Sequence, residues 1–201
     1  MFVDSFLDLI EGGVIKREVD GILVHGGFFV GPSSLYNRLN KMPSTLRQKI
    51  NMTRVRFIND AHEGFEEKQS NRKNARFINN GMKATLLGAV VSDGLENGQV
   101  ISGVGGQYDF VRQSFAVDGA CSLIMLNALR DGTPQAESNI VWSYGHITIP
   151  RHLRDIVITE YGAAYLRGAN DADVIKRMIS VADAQFQDDL IKTAQENGKL
   201  S

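Results

Sequence analysis

Apolar side chains recur at helical spacing where the chain opens, at Phe2, Phe6, Leu9 and Ile10. They predict an amphipathic helix over residues 1–11, ended by Gly12-Gly13. No capping residue precedes it, so the pattern puts residue 1 already inside the helix and implies a segment upstream. A short apolar run at 21–24, closed by His25-Gly26-Gly27, reads as a strand. Pro32-Ser33-Ser34 then opens a helix to about residue 40, and Ser44 can cap a second one over 45–50. At 54–58 basic and apolar residues alternate, with Val55 and Phe57 in phase. This predicts a half-buried strand ending at Asn59-Asp60.

Strand signals dominate after residue 75. Phe77-Ile78, residues 85–91 and residues 99–101 are candidates, and the pairs Asp93-Gly94 and Asn97-Gly98 mark turns. Apolar strands follow at 122–126, 139–142 and 156–159. Asp171 stands where a cap is needed for a helix to about residue 181, and 184–197 form another that ends at Gly198. Short buried strands interleaved with helices, with at least one hairpin, predict an α/β domain on a mixed sheet. No repeat, low-complexity tract or Pro/Ser-rich linker divides the chain.

Composition narrows the field. A chain of 201 residues is one domain, or one domain with a short lead-in. That length buries roughly 70% of the unfolded surface without help from disulfides or metals. A net charge of -1 gives no reason to expect nucleic acid or an anionic membrane as partner. No apolar stretch reaches the ~18 residues of a membrane span, and Met1-Phe2-Val3-Asp4 lacks the basic start of a signal peptide. The single cysteine, Cys121, permits no intrachain disulfide and fits a reducing compartment. It reads as a buried thiol, with a nucleophile as the other reading. A cytoplasmic protein is the expectation.

Candidate chemistry begins at Gly103-Val104-Gly105-Gly106. A turn so rich in glycine brings backbone N–H groups close to a ligand, because no Cβ keeps it away. Such donors hold a phosphate or the oxyanion of an acyl transfer, and a structural hairpin or bulge is the third reading. Gln107 and Asp109 stand just behind the turn. A polar loop, residues 143–152, carries His146 and His152. Glu160 leaves the carboxyl end of a strand, where α/β sheets bind ligands, or it serves a helix N-terminus instead. The four histidines match no zinc spacing and read as hydrogen-bonded structural residues, with no metal site expected. The P-loop, the Gly-x-Ser-x-Gly elbow and the dinucleotide fingerprint are all absent.

Three strings in order resemble the C-terminal half of the acetyl-CoA hydrolase/transferase family, relatives of 4-hydroxybutyrate and succinyl-CoA:acetate CoA-transferases. They are Ser102-Gly103-Val104-Gly105-Gly106-Gln107-Tyr108-Asp109-Phe110, then Thr148-Ile149-Pro150-Arg151-His152, then Val157-Ile158-Thr159-Glu160-Tyr161-Gly162 with Leu166-Arg167-Gly168. The resemblance covers nearly the whole chain. It implies a NagB/RpiA/CoA-transferase-like α/β fold, with a mixed, mainly parallel sheet flanked by helices. It also implies acyl-CoA chemistry through a glutamyl-CoA intermediate, from which CoA passes to a small carboxylate or the acyl group is lost to water. Coenzyme A is then a substrate, and no bound cofactor is required.

On this resemblance Gly105 and Gly106 supply oxyanion N–H groups, and Asn59 lies near the reacting carbonyl. Gly103, Gln107, Asp109, His152 and Glu160 fall on the substrate side, the last two at the pocket rim. Relatives place the nucleophilic glutamate directly before a helix beginning Met-Phe, which Met1-Phe2-Val3-Asp4 resembles; Glu11 and Glu18 do not match it. Residues 1–201 then form the C-terminal domain, with residues 1–20 as a lead-in helix and the nucleophile just upstream. The partner implied is the N-terminal half of the enzyme. A catalytically inactive CoA-binding or protein-interaction domain and a remnant of a disrupted gene are the alternatives. A domain made to pack on another also predicts self-association, through an apolar face of Phe2, Phe6, Phe28 and Phe29.

Overall fold

The computed structural model describes residues 1–60, 62, 64–130 and 135–201, which fall into two compact units, Met1–Asn71 and Arg72–Ser201. Unit 1 contains helix α1 (Asp4–Glu11), strand β1 (Val24–Gly26), helices α2 (Ser33–Lys41) and α3 (Ser44–Arg47), strand β2 (Ile50–Met52), and helices α4 (Val55–Asn59) and α5 (Phe65–Asn71). Strands β1 and β2 pair in parallel, with His25 opposite Asn51. Their small core is built on Phe2, Leu7, Ile10, Leu35 and Met42.

Three expectations for this unit are corrected. The chain does not start inside a helix: residue 2 is extended, its N–H donating to the Phe28 carbonyl (2.9 Å) and its carbonyl accepting from Val30 (3.1 Å). That pairing turns Phe2 inward, where it is 1% exposed, stacked on Phe6 and packed at a tilt on Phe29 (ring centroids 5.5 and 4.8 Å). Of the four aromatics expected to form an exposed face, only Phe28 is exposed. Second, residues 54–58 form helix α4 rather than a strand, and Asn59 is its last residue. Val55 and Ile58, three apart and so on one helical face, seat against Gly27, where a Cβ would meet Val55 Cγ2 at 3.2 Å. Packing on that bare backbone outweighs the two-residue alternation. Third, Ile50 belongs to β2, because its backbone pairs with Val24.

Unit 2 holds strands β3 (Arg76–Asn80), β4 (Lys83–Thr85) and β5 (Val90–Val91), helix α6 (Gln107–Gln113), and strands β6 (Cys121–Met125), β7 (Ile140–Val141), β8 (Ile156–Thr159) and β9 (Gly162–Tyr165). Helices α7 (Asp171–Ser180) and α8 (Ala184–Glu196) close it. The main sheet runs β3-β6-β8-β9, the first three strands parallel and β9 antiparallel to β8. A smaller sheet runs β5-β4-β7, antiparallel on one side of β4 and parallel on the other. The expected mixed, mainly parallel sheet flanked by helices is what forms. One apolar core, including Leu86, Ile140, Val157, Leu166, Ile175 and Met178, joins the strands to α7 and α8.

Here too the detail differs from the pattern. Residues 85–91 are not one strand, because Gly88 (φ +85°) turns the backbone and its N–H closes on the Thr85 carbonyl at 2.8 Å. Residues 99–101 form only an isolated bridge, Gly94 to Val100. The cap of α7 is Asn170, whose side chain accepts from the Asp173 N–H at 2.9 Å, not Asp171.

Candidate active site

In a parallel sheet the carboxyl ends of the strands lie together, and chain leaving them shapes a cleft. In unit 2 these ends are Asn80 on β3, Met125 on β6 and Thr159 on β8. The cleft they frame has a volume of about 570 Å3 and is lined by Asn80, Gly81, Asn127, Thr159 and Glu160, among others. Glu160 sits in the tight turn of the β8–β9 hairpin, so no helix follows it and a helix N-terminal role is excluded. Its carboxylate accepts the Ala128 N–H with both oxygens, at 3.1 and 2.9 Å. That bond ties the chain after β6 to the hairpin. Beside it, the Thr159 hydroxyl donates to the Val181 carbonyl at 2.7 Å, and the Tyr161 hydroxyl donates to Asp183. The hydrogen bond from Tyr161 holds the Asp183 carboxyl below its usual range and raises the Tyr161 phenol.

The glycine turn reaches this cleft through one side chain. Gln107 opens α6, is 7% exposed, and donates from Nε2 to the Asn80 carbonyl at 2.9 Å. Directly before it, Gly106 is the helix N-cap and Gly105 has φ +62°, a left-handed conformation that disfavours any residue with a Cβ. The Gly105 and Gly106 N–H groups have no hydrogen-bond partner among the described residues. Nothing lies within 4 Å of where a Cβ on Gly103 or Gly105 would stand. The turn therefore presents bare, unused donors. Asp109 lies in the first turn of α6, where a carboxylate complements the helix dipole.

Pattern reading missed what holds the base of this turn. The Asp93 carboxylate is buried and accepts from the Thr148 hydroxyl and from His146 Nε2 (3.1 Å), while its own backbone carbonyl accepts the Ile101 and Ser102 N–H groups at 2.8 and 3.3 Å. The Thr148 hydrogen bond, and after it the His146 one, holds the Asp93 carboxyl below the usual carboxylate range. The His146 ring lies directly on Gly94, where a Cβ would stand 2.7 Å from it. Asp93-Gly94 had signalled only a turn, and no local pattern links it to residues 146–148. Asn80 was findable, because the rule that singled out Glu160 applies equally to the end of β3.

The remaining candidates are dispersed. His152 is exposed on the 3-10 turn Arg151–Leu153, at the amino end of β8, so the sheet separates it from Glu160. Asn59 belongs to unit 1, the glycine turn to unit 2. Cys121 is half-buried at the start of β6, away from the strand ends that frame the cleft. Among the described residues, no group of three or more His, Cys, Asp or Glu is placed to hold a metal, and no helix is long and apolar enough to cross a membrane.

Residues 31–194 match the acetyl-CoA hydrolase/transferase C-terminal domain. The chain is 29% identical over 203 residues to butyryl-CoA:acetate CoA-transferase of Anaerostipes caccae, covering 98% of this chain and 43% of that protein. It is 26% identical to 4-hydroxybutyrate coenzyme A transferase of Clostridium kluyveri, covering 95% and 43% respectively. Among solved structures, RipA from Yersinia pestis superposes with a TM-score of 0.76 at 26% identity, over 98% of this chain and 42% of RipA. The chain thus spans less than half the length of the relatives it matches.

Proposed function

Because this chain belongs to the acetyl-CoA hydrolase/transferase family, we propose that it is the C-terminal domain of an acyl-CoA transferase or hydrolase working through a glutamyl-CoA intermediate. The nucleophilic glutamate lies outside residues 1–201 and comes with the N-terminal half of the enzyme. Its carboxylate attacks the thioester carbonyl of acetyl-CoA or another short-chain acyl-CoA. The Gly105 and Gly106 N–H groups receive the oxyanion, and one such donor is worth roughly 3 kcal/mol of barrier. The pair of unused donors on the left-handed turn carries this reading.

Each further candidate has a role in the proposal. Gln107 fixes the turn to the strand ends through Asn80, and Asp109 steadies the first turn of α6. Gly103 lets the substrate approach closely. Glu160 and Asn80 form the wall that CoA passes. The acceptor is a small carboxylate in transfer and water in hydrolysis, and the choice depends on how fully the closed pocket excludes water. The enzyme operates in the cytoplasm, in acetate metabolism. It self-associates through the exposed apolar side chains of unit 1, Phe28, Val30, Met52 and Val55; a monomer in sedimentation velocity at high concentration refutes that part.

The test is a coupled acetyl-CoA assay with acetate, propionate or succinate. It uses the chain alone, then the chain mixed with the N-terminal half of a relative. Activity in the mixture alone, lost when the glutamate of the added half is changed to alanine, supports the proposal. Turnover by the chain alone overturns it and makes Glu160 the first nucleophile to examine. CoA binding without turnover in any mixture favours a binding module instead.

A further inference from the structure

The main sheet of unit 2 has a second cleft, at the amino ends of β6 and β8, of about 470 Å3. Phe115, Arg151, His152, Arg154 and Arg167 line it, with backbone at 168–169. Around it Arg151, Arg154 and Lys199 share the single carboxylate of Asp171, at 3.5, 3.2 and 3.8 Å, and Arg167 pairs with Asp155 at 2.5 Å. Four cations thus meet two carboxylates.

The cations are not equivalent. Arg154 is occupied, donating to the Leu87 and Ala169 carbonyls at 3.0 and 2.9 Å besides Asp171. Arg167 also reaches the Ser114 carbonyl at 3.2 Å and lies 4.1 Å over the Phe115 ring. Among the described residues Arg151 has only its long contact with Asp171, and its side chain is 58% exposed. His152, beside it on the 3-10 turn, is exposed and has no hydrogen-bond partner among the described residues. The two adjacent side chains with free donors therefore stand over a floor that carries excess positive charge.

We propose that this cleft binds a phosphate monoester. A guanidinium with a free edge matches phosphate oxygens in a bidentate fork, and His152 adds a donor from the same turn. A dianion balances the local excess of two positive charges. The Phe115–Arg167 stack gives a flat surface for a ring carried on the ester. The site uses residues at the opposite strand ends from the acyl-CoA cleft, so it does not depend on the proposed reaction.

The experiment titrates the 15N-labelled 201-residue chain with inorganic phosphate, AMP and adenosine, following amide shifts. Phosphate and AMP are expected to move a common set that includes Gly168 and Ala169, and adenosine is not. Replacing Arg151→Ala together with His152→Ala should weaken both by at least about tenfold, the loss of two charge-assisted contacts. Both side chains are exposed, and an unchanged circular dichroism spectrum confirms an intact variant. No shift with millimolar phosphate or AMP overturns the proposal. So does adenosine binding as well as AMP, or equal binding by the double variant.

Discussion

Removing the Asp155 carboxylate should unfasten the amino end of the main sheet, and the structure sets the size of the effect. Asp155 is 7% exposed and precedes β8; its carboxylate accepts the Ser122 N–H of β6 at 2.6 Å and Arg167 at 2.5 Å. Asp155→Ala leaves the Ser122 N–H without an acceptor in a residue that is 1% exposed. An orphaned buried donor costs about 1–3 kcal/mol. Arg167 loses less, since it keeps the Ser114 and Ala120 carbonyls and its side chain is 40% exposed to water. A total near 3 kcal/mol follows, against roughly 1 kcal/mol for Asp155→Asn, which keeps an acceptor for Ser122. With a urea m-value of about 2–3 kcal/mol/M, the midpoint should fall by roughly 1 M for the alanine and less than half that for the asparagine. The single tryptophan, Trp142, lies in unit 2, so its fluorescence follows this unit alone. Equal shifts for the two variants would refute the argument, because they would show that charge and not the Ser122 acceptor dominates.

Gly105→Ala should cost about 1 kcal/mol from its φ of +62° alone, while Gly103→Ala, with the same open surroundings and no such φ, should be near neutral; paired urea melts separate them. The depressed Asp93 carboxyl stabilises the fold above its unfolded pKa, near 4, and that contribution is lost as pH falls through the lower folded value. Asp93→Asn should therefore be destabilised at pH 7 by roughly 1–3 kcal/mol, and the gap should close in acid melts below about pH 4. Phe2→Ala removes a core ring packed against two others and should destabilise unit 1 by roughly 3 kcal/mol or more, read as faster proteolysis within residues 1–71 with Trp142 fluorescence unchanged.

What pattern could reveal divides along physical lines. Helices α2, α7 and α8 and strands β3, β6 and β8 were legible, because each carries its own periodicity and punctuation. Helix α4 was not, since five residues hold too little periodicity to tell helix from strand, and its seat on Gly27 is a tertiary fact. The Val104-Gly105-Gly106 turn and Glu160 were recognisable as local strings. The Asp93–His146–Thr148 network was invisible because Asp93 lies more than fifty residues from the other two in sequence. The separation of His152 from Glu160 follows from strand direction: eight residues apart in sequence, they flank the two ends of β8.

The register of the main sheet also bears on how the chain is made. Strand β3 has no neighbour until Cys121 arrives to pair with Arg76, and β6 then waits for Ile156. At the usual pace of translation the first wait alone lasts on the order of several seconds. Throughout it, the strand that carries Asn80 has both edges open and Phe77, half-buried in the folded unit, uncovered. The stretch that supplies one wall of the cleft at the carboxyl strand ends thus waits unpaired on the ribosome. Arg76, Asn79 and Asn80, at the two ends of the strand itself, are the polar residues that make such pairing less favourable.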